Sequence, residues 1–190
     1  KNCEEERLLG VSLTGIMDNE LTAYPTPAML ENFKAVAVKT NEEWSKKFNI
    51  NPSSAITCVK PSGTVSQLCN SASGIHARHS EYYIRRVRMD GKDPLCKFME
   101  AKGFPCEVDV MNNSNMVFSF PMQSPSKSIM RNDMPALEQL QTWQMYAEHW
   151  CEHKPSVTIS VREDEWVDVG AWVYEWFDCI SGISFLPHSD

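Results

Sequence analysis

The chain has 190 residues, 42% of them hydrophobic, enough to bury a core and to make one domain or one large piece of a bigger one. A formal net charge of -7, with no run of five basic residues, argues against duplex nucleic acid as the main partner. No apolar run approaches the roughly 20 residues that cross a bilayer, and the opening KNCEEER lacks the basic start and apolar stretch of a signal peptide. The seven cysteines form an odd set with no Cys-x-x-Cys pair, so a reducing cytoplasm is the expected compartment. The abrupt start without Met is expected of a fragment or processed piece.

In chain order, Met29, Leu30, Phe33, Val36, Trp44 and Phe48 recur at helical spacing and predict a helix or helix pair over 26–48. AITCVK, residues 55–60, reads as a buried strand, and PSGTVSQLCN opens a helix running to about Asn70. YYIRRVRM, residues 82–89, reads as a strand. Asp93 and Pro94 start a helix that Gly103 ends, and MVFSF, 116–120, is the next strand. Asn132, Asp133 and Pro135 begin a long helix with Leu137, Leu140, Gln141, Gln144, Ala147 and Cys151 along one face. SVTISV, 156–161, is a strand; Trp166, Val169, Val173 and Trp176 mark a helix, and ISFLP ends the series near Pro187. About five strand–helix alternations predict half of a closed α/β barrel, or an open doubly wound sheet. The first and last strands of a half barrel need something to cover their edges.

The segment that carries chemistry is TCVKPSGTVSQLCNSASGIHARHS, 57–80. A strand delivers the chain to Lys60, Pro61 fixes the backbone, and Gly63 has no Cβ to keep an anion from the main chain. Ser62, Thr64 and Ser66 add hydroxyls, and the first amides of the following helix have no intrahelical partners, so the segment reads as a phosphate cradle. Pro-Ser-Gly is also an ordinary turn, and Ser or Thr caps many helices that bind nothing, so both readings stand on the pattern alone. No Gly-Lys-Ser/Thr follows at P-loop spacing, which disfavours ATP hydrolysis. The basic stretch Arg78, Arg85, Arg86, Arg88 fits an anionic ligand, a partner contact or a salt-bridged surface equally.

KPSGTVSQLCNSASGIHARHSEYYIRRVR resembles, nearly residue for residue, the phosphate-loop segment of adenosylcobalamin-dependent ribonucleotide reductases. ERLLGVSLTGIMDN before it, and KPSVTISV through GISFLP after it, resemble that family's flanking barrel segments, so the likeness runs from about Glu6 to Pro187. It implies the C-terminal half of a ten-stranded α/β barrel and a ribonucleoside di- or triphosphate substrate. The substrate phosphates are then expected on Ser62, Gly63, Thr64, Val65 and Ser66. The family's chemistry implies a cysteine thiyl radical formed with adenosylcobalamin, a ribose 3′-hydrogen abstraction, and re-reduction by thioredoxin through a C-terminal cysteine pair. The finger motif Asn-x-Cys-x-Glu and that pair are not in this sequence. No catalytic residue is therefore expected here, and the N-terminal half of the reductase, on the same or a separate chain, is the expected partner. Two rival readings are a fragment of an iron-dependent large subunit and a non-catalytic nucleotide- or phosphate-binding subunit of a split protein.

Other constellations have ordinary explanations. His149 and His153, one helical turn apart, lack further metal ligands, and a wet helix end accounts for them. His76 and His79 are expected to face solvent in a turn. Cys58 and Cys69, which bracket the loop, are expected to be buried structural thiols, and Trp166, Trp172 and Trp176 core or interface packing.

Overall fold

The computed structural model describes residues 2–189, with side chains from Glu4 onward. Two compact units emerge, one built from the chain up to His79 and again from Ser126, the other from Ser80 to Pro125.

In the first unit a short helix α1 (Asn2–Glu6) leads into β1 (Leu8–Ser12), which pairs in parallel with β2 (Ala55–Cys58). Their register slips between Leu8 and Val11, around Gly10, and an interior glycine is a common mark of such a bulge. Between them lie the one-turn α2 (Glu20–Ala23) and the crossover helix α3 (Pro27–Phe48). The start of α3 follows its sequence: Thr26 Oγ1 accepts the Met29 amide at 3.3 Å and Pro27 fills the first turn. Asn49, at φ 54°, closes it.

β2 then runs into the candidate loop and α4 (Val65–Leu68). After Ser126 come α6 (Ala136–His149), β6 (Thr158–Val161), α7 (Trp166–Glu175) and β7 (Ser184–Pro187), with β6 and β7 parallel. Residues between α6 and β6 cover the free side of β2. Glu152 accepts the Ile56 amide at 2.8 Å and the Thr57 amide at 3.3 Å, and the Ser156 amide donates to Val59 O at 2.9 Å. A carboxylate thus takes the place of a neighbouring strand. The core between these layers holds Leu30, Val59, Leu140, Trp143, Tyr146 and Ile159, each at most 1% exposed.

The second unit is an antiparallel sheet in the order β3 (Tyr82–Asp90), β5 (Asn115–Gln123), β4 (Cys106–Val108), with α5 (Pro94–Ala101) in the β3–β4 connection. Asp93 Oδ1 caps α5 through the Leu95 amide at 2.8 Å, and Gly103 takes the left-handed conformation at φ 76°.

Three expectations change. The strands near 82–89 and 116–120 are not further βα repeats but partners of one another. Strict exposed and half-buried alternation along β3 is the signature of a ribbon wet on one face, whereas β2 is buried over its last three residues. The buried face of α6 is Ala136, Leu140, Trp143 and Tyr146 rather than the stripe through Gln141 and Gln144. Its aromatic residues bury because their polar ends find carbonyls, Trp143 Nε1 on Pro155 O at 3.2 Å and Tyr146 OH on Thr22 O at 2.6 Å. The start of α6 is held from outside the helix, by Glu165 Oε1 on the Ala136 amide at 2.9 Å, not by Asn132 or Asp133.

Leu140→Ala is expected to cost about 3 kcal/mol in urea unfolding, through lost burial and the cavity left behind. Leu68→Ala, at a position 84% exposed, is expected to change stability by less than about 0.5 kcal/mol.

Candidate functional site

The loop that leaves β2 is braced from behind by a knot of hydroxyls and amides. Thr14 Oγ1 donates to Ala72 O at 3.0 Å, which spends its one proton, so the 2.7 Å contact with Ser62 Oγ has Ser62 as donor. The Gly74 amide donates to both oxygens, at 2.9 Å to Thr14 and 3.0 Å to Ser62. Gly74, at φ 55°, brings the main chain so close that a Cβ there would lie 3.2 Å from Lys60 O.

A second layer holds the exit of the loop. Arg78, 4% exposed, grips Asp18 with two nitrogens, Nε on Oδ1 at 2.8 Å and Nη2 on Oδ2 at 3.0 Å. The same guanidinium reaches Asn70 O at 2.6 Å and Asn70 Oδ1 at 3.3 Å, while Asp18 Oδ2 accepts the Ala72 amide at 2.7 Å. Ser128 Oγ completes the set on Asp18 Oδ1 at 2.9 Å. Burial pushes the Asp18 carboxyl up, but Arg78, the Ala72 amide and Ser128 together outweigh it and hold the group below its ordinary range.

The five predicted residues are contiguous but differ in what they offer. Gly63, Thr64 and Val65 are exposed, and a Cβ built on Gly63 meets nothing within 4 Å. The amides of Thr64 and Val65 have no hydrogen-bond partner among the described residues. Ser66 is buried; its amide donates to Ser62 O at 3.0 Å and its hydroxyl donates to the same oxygen. The hydroxyls of Ser62 and Ser66 are thus internal braces, leaving Thr64 as the outward one.

The helix expected to run to Asn70 is the single turn α4. Asn70 turns to φ 48°, and the Ser71 amide closes back on Ser66 O at 2.8 Å. One turn carries little macrodipole, so what the loop presents is local amides rather than a helix field.

Thr14 and Asp18 were not identified from sequence. The signal was slight: Gly15, at φ 70°, places Thr14 and Asp18 on opposite sides of a tight turn, and a Cβ on it would lie 3.2 Å from Ser71 Cβ. The basic stretch sorts into ion pairs, Arg78 with Asp18, Arg86 with Glu107, and Arg88 with Asp109 at 2.9 Å.

His76 does not face solvent freely. Its Nδ1 lies 2.9 Å from Ser73 O, and its Nε2 lies 3.0 Å from the Thr158 amide, so both ring nitrogens are engaged within the chain. It lines a cavity of about 210 Å³ with His79, Arg131, Thr158 and Ser160. A second cavity, about 300 Å³, reaches the loop at Lys60 and Pro61 and is lined also by Gly10, Cys58 and Lys154. His149 Nδ1 pairs with Glu31 at 2.8 Å and His153 Nε2 with Leu9 O at 3.0 Å, so the two rings engage different segments.

No protein-family model matches the chain. Among curated proteins, it is 26% identical, over its whole length, to an adenosylcobalamin-dependent ribonucleoside-triphosphate reductase of Levilactobacillus brevis, covering 29% of that protein. A reductase of the same description from Lacticaseibacillus paracasei is 29% identical over 80% of the chain, covering 21% of its own length. Its curated homologues are adenosylcobalamin-dependent ribonucleoside-triphosphate reductases. The crystal structure of a B12-dependent (class II) ribonucleotide reductase shares the fold, with a TM-score of 0.82 over 98% of this chain and 30% of that one, at 24% identity. The chain thus spans under a third of the reductases it matches.

Cysteine placement bears on thiol chemistry. Cys58 is buried, as expected, but Cys69 lies exposed at the end of α4, because that helix stops short. Burial pushes the half-buried Cys151 thiol up to about 12. Thiol labelling of the native chain at pH 8 is expected to modify Cys69 and Cys179 within minutes and to leave Cys58, Cys96 and Cys151 unmodified until denaturant is added. Equal labelling rates at Cys58 and Cys69 would contradict the burial described.

Proposed function

We propose that this chain is the substrate-phosphate-binding portion of an adenosylcobalamin-dependent ribonucleotide reductase, and that it forms the C-terminal half of a ten-stranded α/β barrel. The observation that carries the reading is the outward loop Gly63–Val65, with open amides at Thr64 and Val65 and empty space where a Gly63 Cβ would project. An anion seated there receives main-chain hydrogen bonds without a side chain in the way. The Lys60 side chain is exposed and has no ion pair among the described residues, which supplies a cation at the mouth of the loop.

The half-barrel part of the proposal is supported by the two parallel pairs. All five residues of β1 are exposed, and among the described residues β1 pairs only with β2 and β7 only with β6. Strands buried in parallel sheets are covered on both faces, so an exposed apolar end strand fits a sheet that continues in another segment.

His76 spends both ring nitrogens within the chain, on Ser73 O and the Thr158 amide. Adenosylcobalamin is named in the relatives' descriptions, which favours the cobalamin reading over an iron-dependent large subunit, and it belongs in this proposal to the rest of the enzyme. The radical chemistry, the thioredoxin-reducible cysteines and the N-terminal half belong there too. The chain's own work is to hold and orient the nucleotide's anionic tail.

Calorimetric titration with a ribonucleoside triphosphate tests the loop. The wild-type chain is expected to bind, and Gly63→Asp to weaken binding by about tenfold or more through bulk and like charge, while melting with the wild type because its side chain projects into open space. Equal affinity for both proteins removes the loop from the account.

A further inference from the structure

An exposed, one-turn segment needs something behind it to hold its shape. Two contacts tie the Ser62 hydroxyl to the chain behind it, one to Thr14 Oγ1 and one from the Gly74 amide, and Thr14 is tied in turn to Ala72 O. Those residues are in turn set by one buried ion pair. Asp18 fixes the Ala72 amide, and the Gly15 amide donates to Ala72 O at 2.8 Å. Arg78 draws in the Asn70 carbonyl and side chain, which ends α4. Beyond the loop, the Arg78 amide donates to Ile129 O at 2.9 Å and the Arg131 amide to Arg78 O at 2.8 Å, so the guanidinium hangs from backbone that is itself bonded on both sides.

The guanidinium's chemistry suits this role. Its planar fork spans two carboxylate oxygens and a carbonyl at fixed angles, which an ammonium cannot reproduce. Arg78 is also nearly sealed from solvent, at 4% exposure, so it does not touch a ligand on the loop. Resting on the phosphate-loop reading, we propose that the Asp18–Arg78 pair is a positioning device: it sets the Asn70–Gly74 turn, and through Ser62 it holds the Thr64 and Val65 amides at the spacing an anion needs.

The test uses the full chain and inorganic tripolyphosphate, with affinity measured by calorimetry at a temperature where circular dichroism shows each variant folded. Arg78→Lys keeps the buried charge and loses the fork; it is expected to bind about tenfold more weakly than wild type, the scale of a lost charge-assisted hydrogen bond. Arg78→Met is expected to bind more weakly still, so that the conservative variant partly rescues. Ser128→Ala removes one hydrogen bond on the side of Asp18 remote from the loop; it is expected to fold normally and to weaken binding about two- to threefold. A pair that only stabilises the fold predicts wild-type affinity for every folded variant, and that result overturns the inference. If the arginine variants fail to fold, Ser128→Ala decides by the same criterion. Binding that is lost in Gly63→Asp but unchanged in Ser128→Ala and Arg78→Lys leaves the loop reading standing and removes the positioning role; no binding by wild type removes both.

Discussion

The guanidinium of Arg78 closing on the Asp18 carboxylate is the contact on which the site depends. A buried pair of this kind gives little net stability when both partners are present, because desolvation offsets attraction. What it gives is geometry. Charges taken out of water must find every partner, and here the partners are the Asn70 carbonyl and Ala72 amide of one turn and the Ser128 hydroxyl of a distant stretch of chain. Between Lys60 and Ser71 the loop has no buried apolar side chain, so its shape comes from these polar ties rather than from packing.

The same division runs through the first unit. Its core is aromatic and aliphatic, with Trp143, Tyr146 and Trp150 filling the space around β2 and β6 and each anchoring its polar atom on a carbonyl. That core fixes where β2 ends. The polar layer above it fixes what the chain does next, and the exposed amides of Thr64 and Val65 are the outcome.

Much of this was legible in the residues. Asp93-Pro94 announces its helix because capping is local chemistry, the spacing of Met29 to Phe48 marks α3, and the stretch from Lys60 to Ser66 shows its glycine and hydroxyls openly. What stayed hidden was long-range. β1 leaves little trace since its Gly10 interrupts any alternation, and the antiparallel sheet reads as βα repeats because β3–β5 partners lie between 25 (Asp90–Asn115) and 41 (Tyr82–Gln123) residues apart and leave no local mark. Thr14, Asp18 and Arg78 are ordinary residues in sequence and acquire a role only when Gly15 and Gly74 turn the chain upon itself. The stripe on α6 was displaced by one residue because tryptophan and tyrosine bury only where a carbonyl waits, and the carbonyls come from Pro155, Thr22 and Cys58.

The likeness to adenosylcobalamin-dependent ribonucleoside-triphosphate reductases covers the whole chain but less than a third of those enzymes, and the loop is the part whose chemistry can be examined by itself. The most direct measurement follows the backbone amides by nuclear magnetic resonance while inorganic tripolyphosphate is added. The account predicts saturable shifts, with one common dissociation constant, centred on the amides of Gly63, Thr64 and Val65. Tripolyphosphate that saturates elsewhere on the chain while these three amides stay still would contradict it.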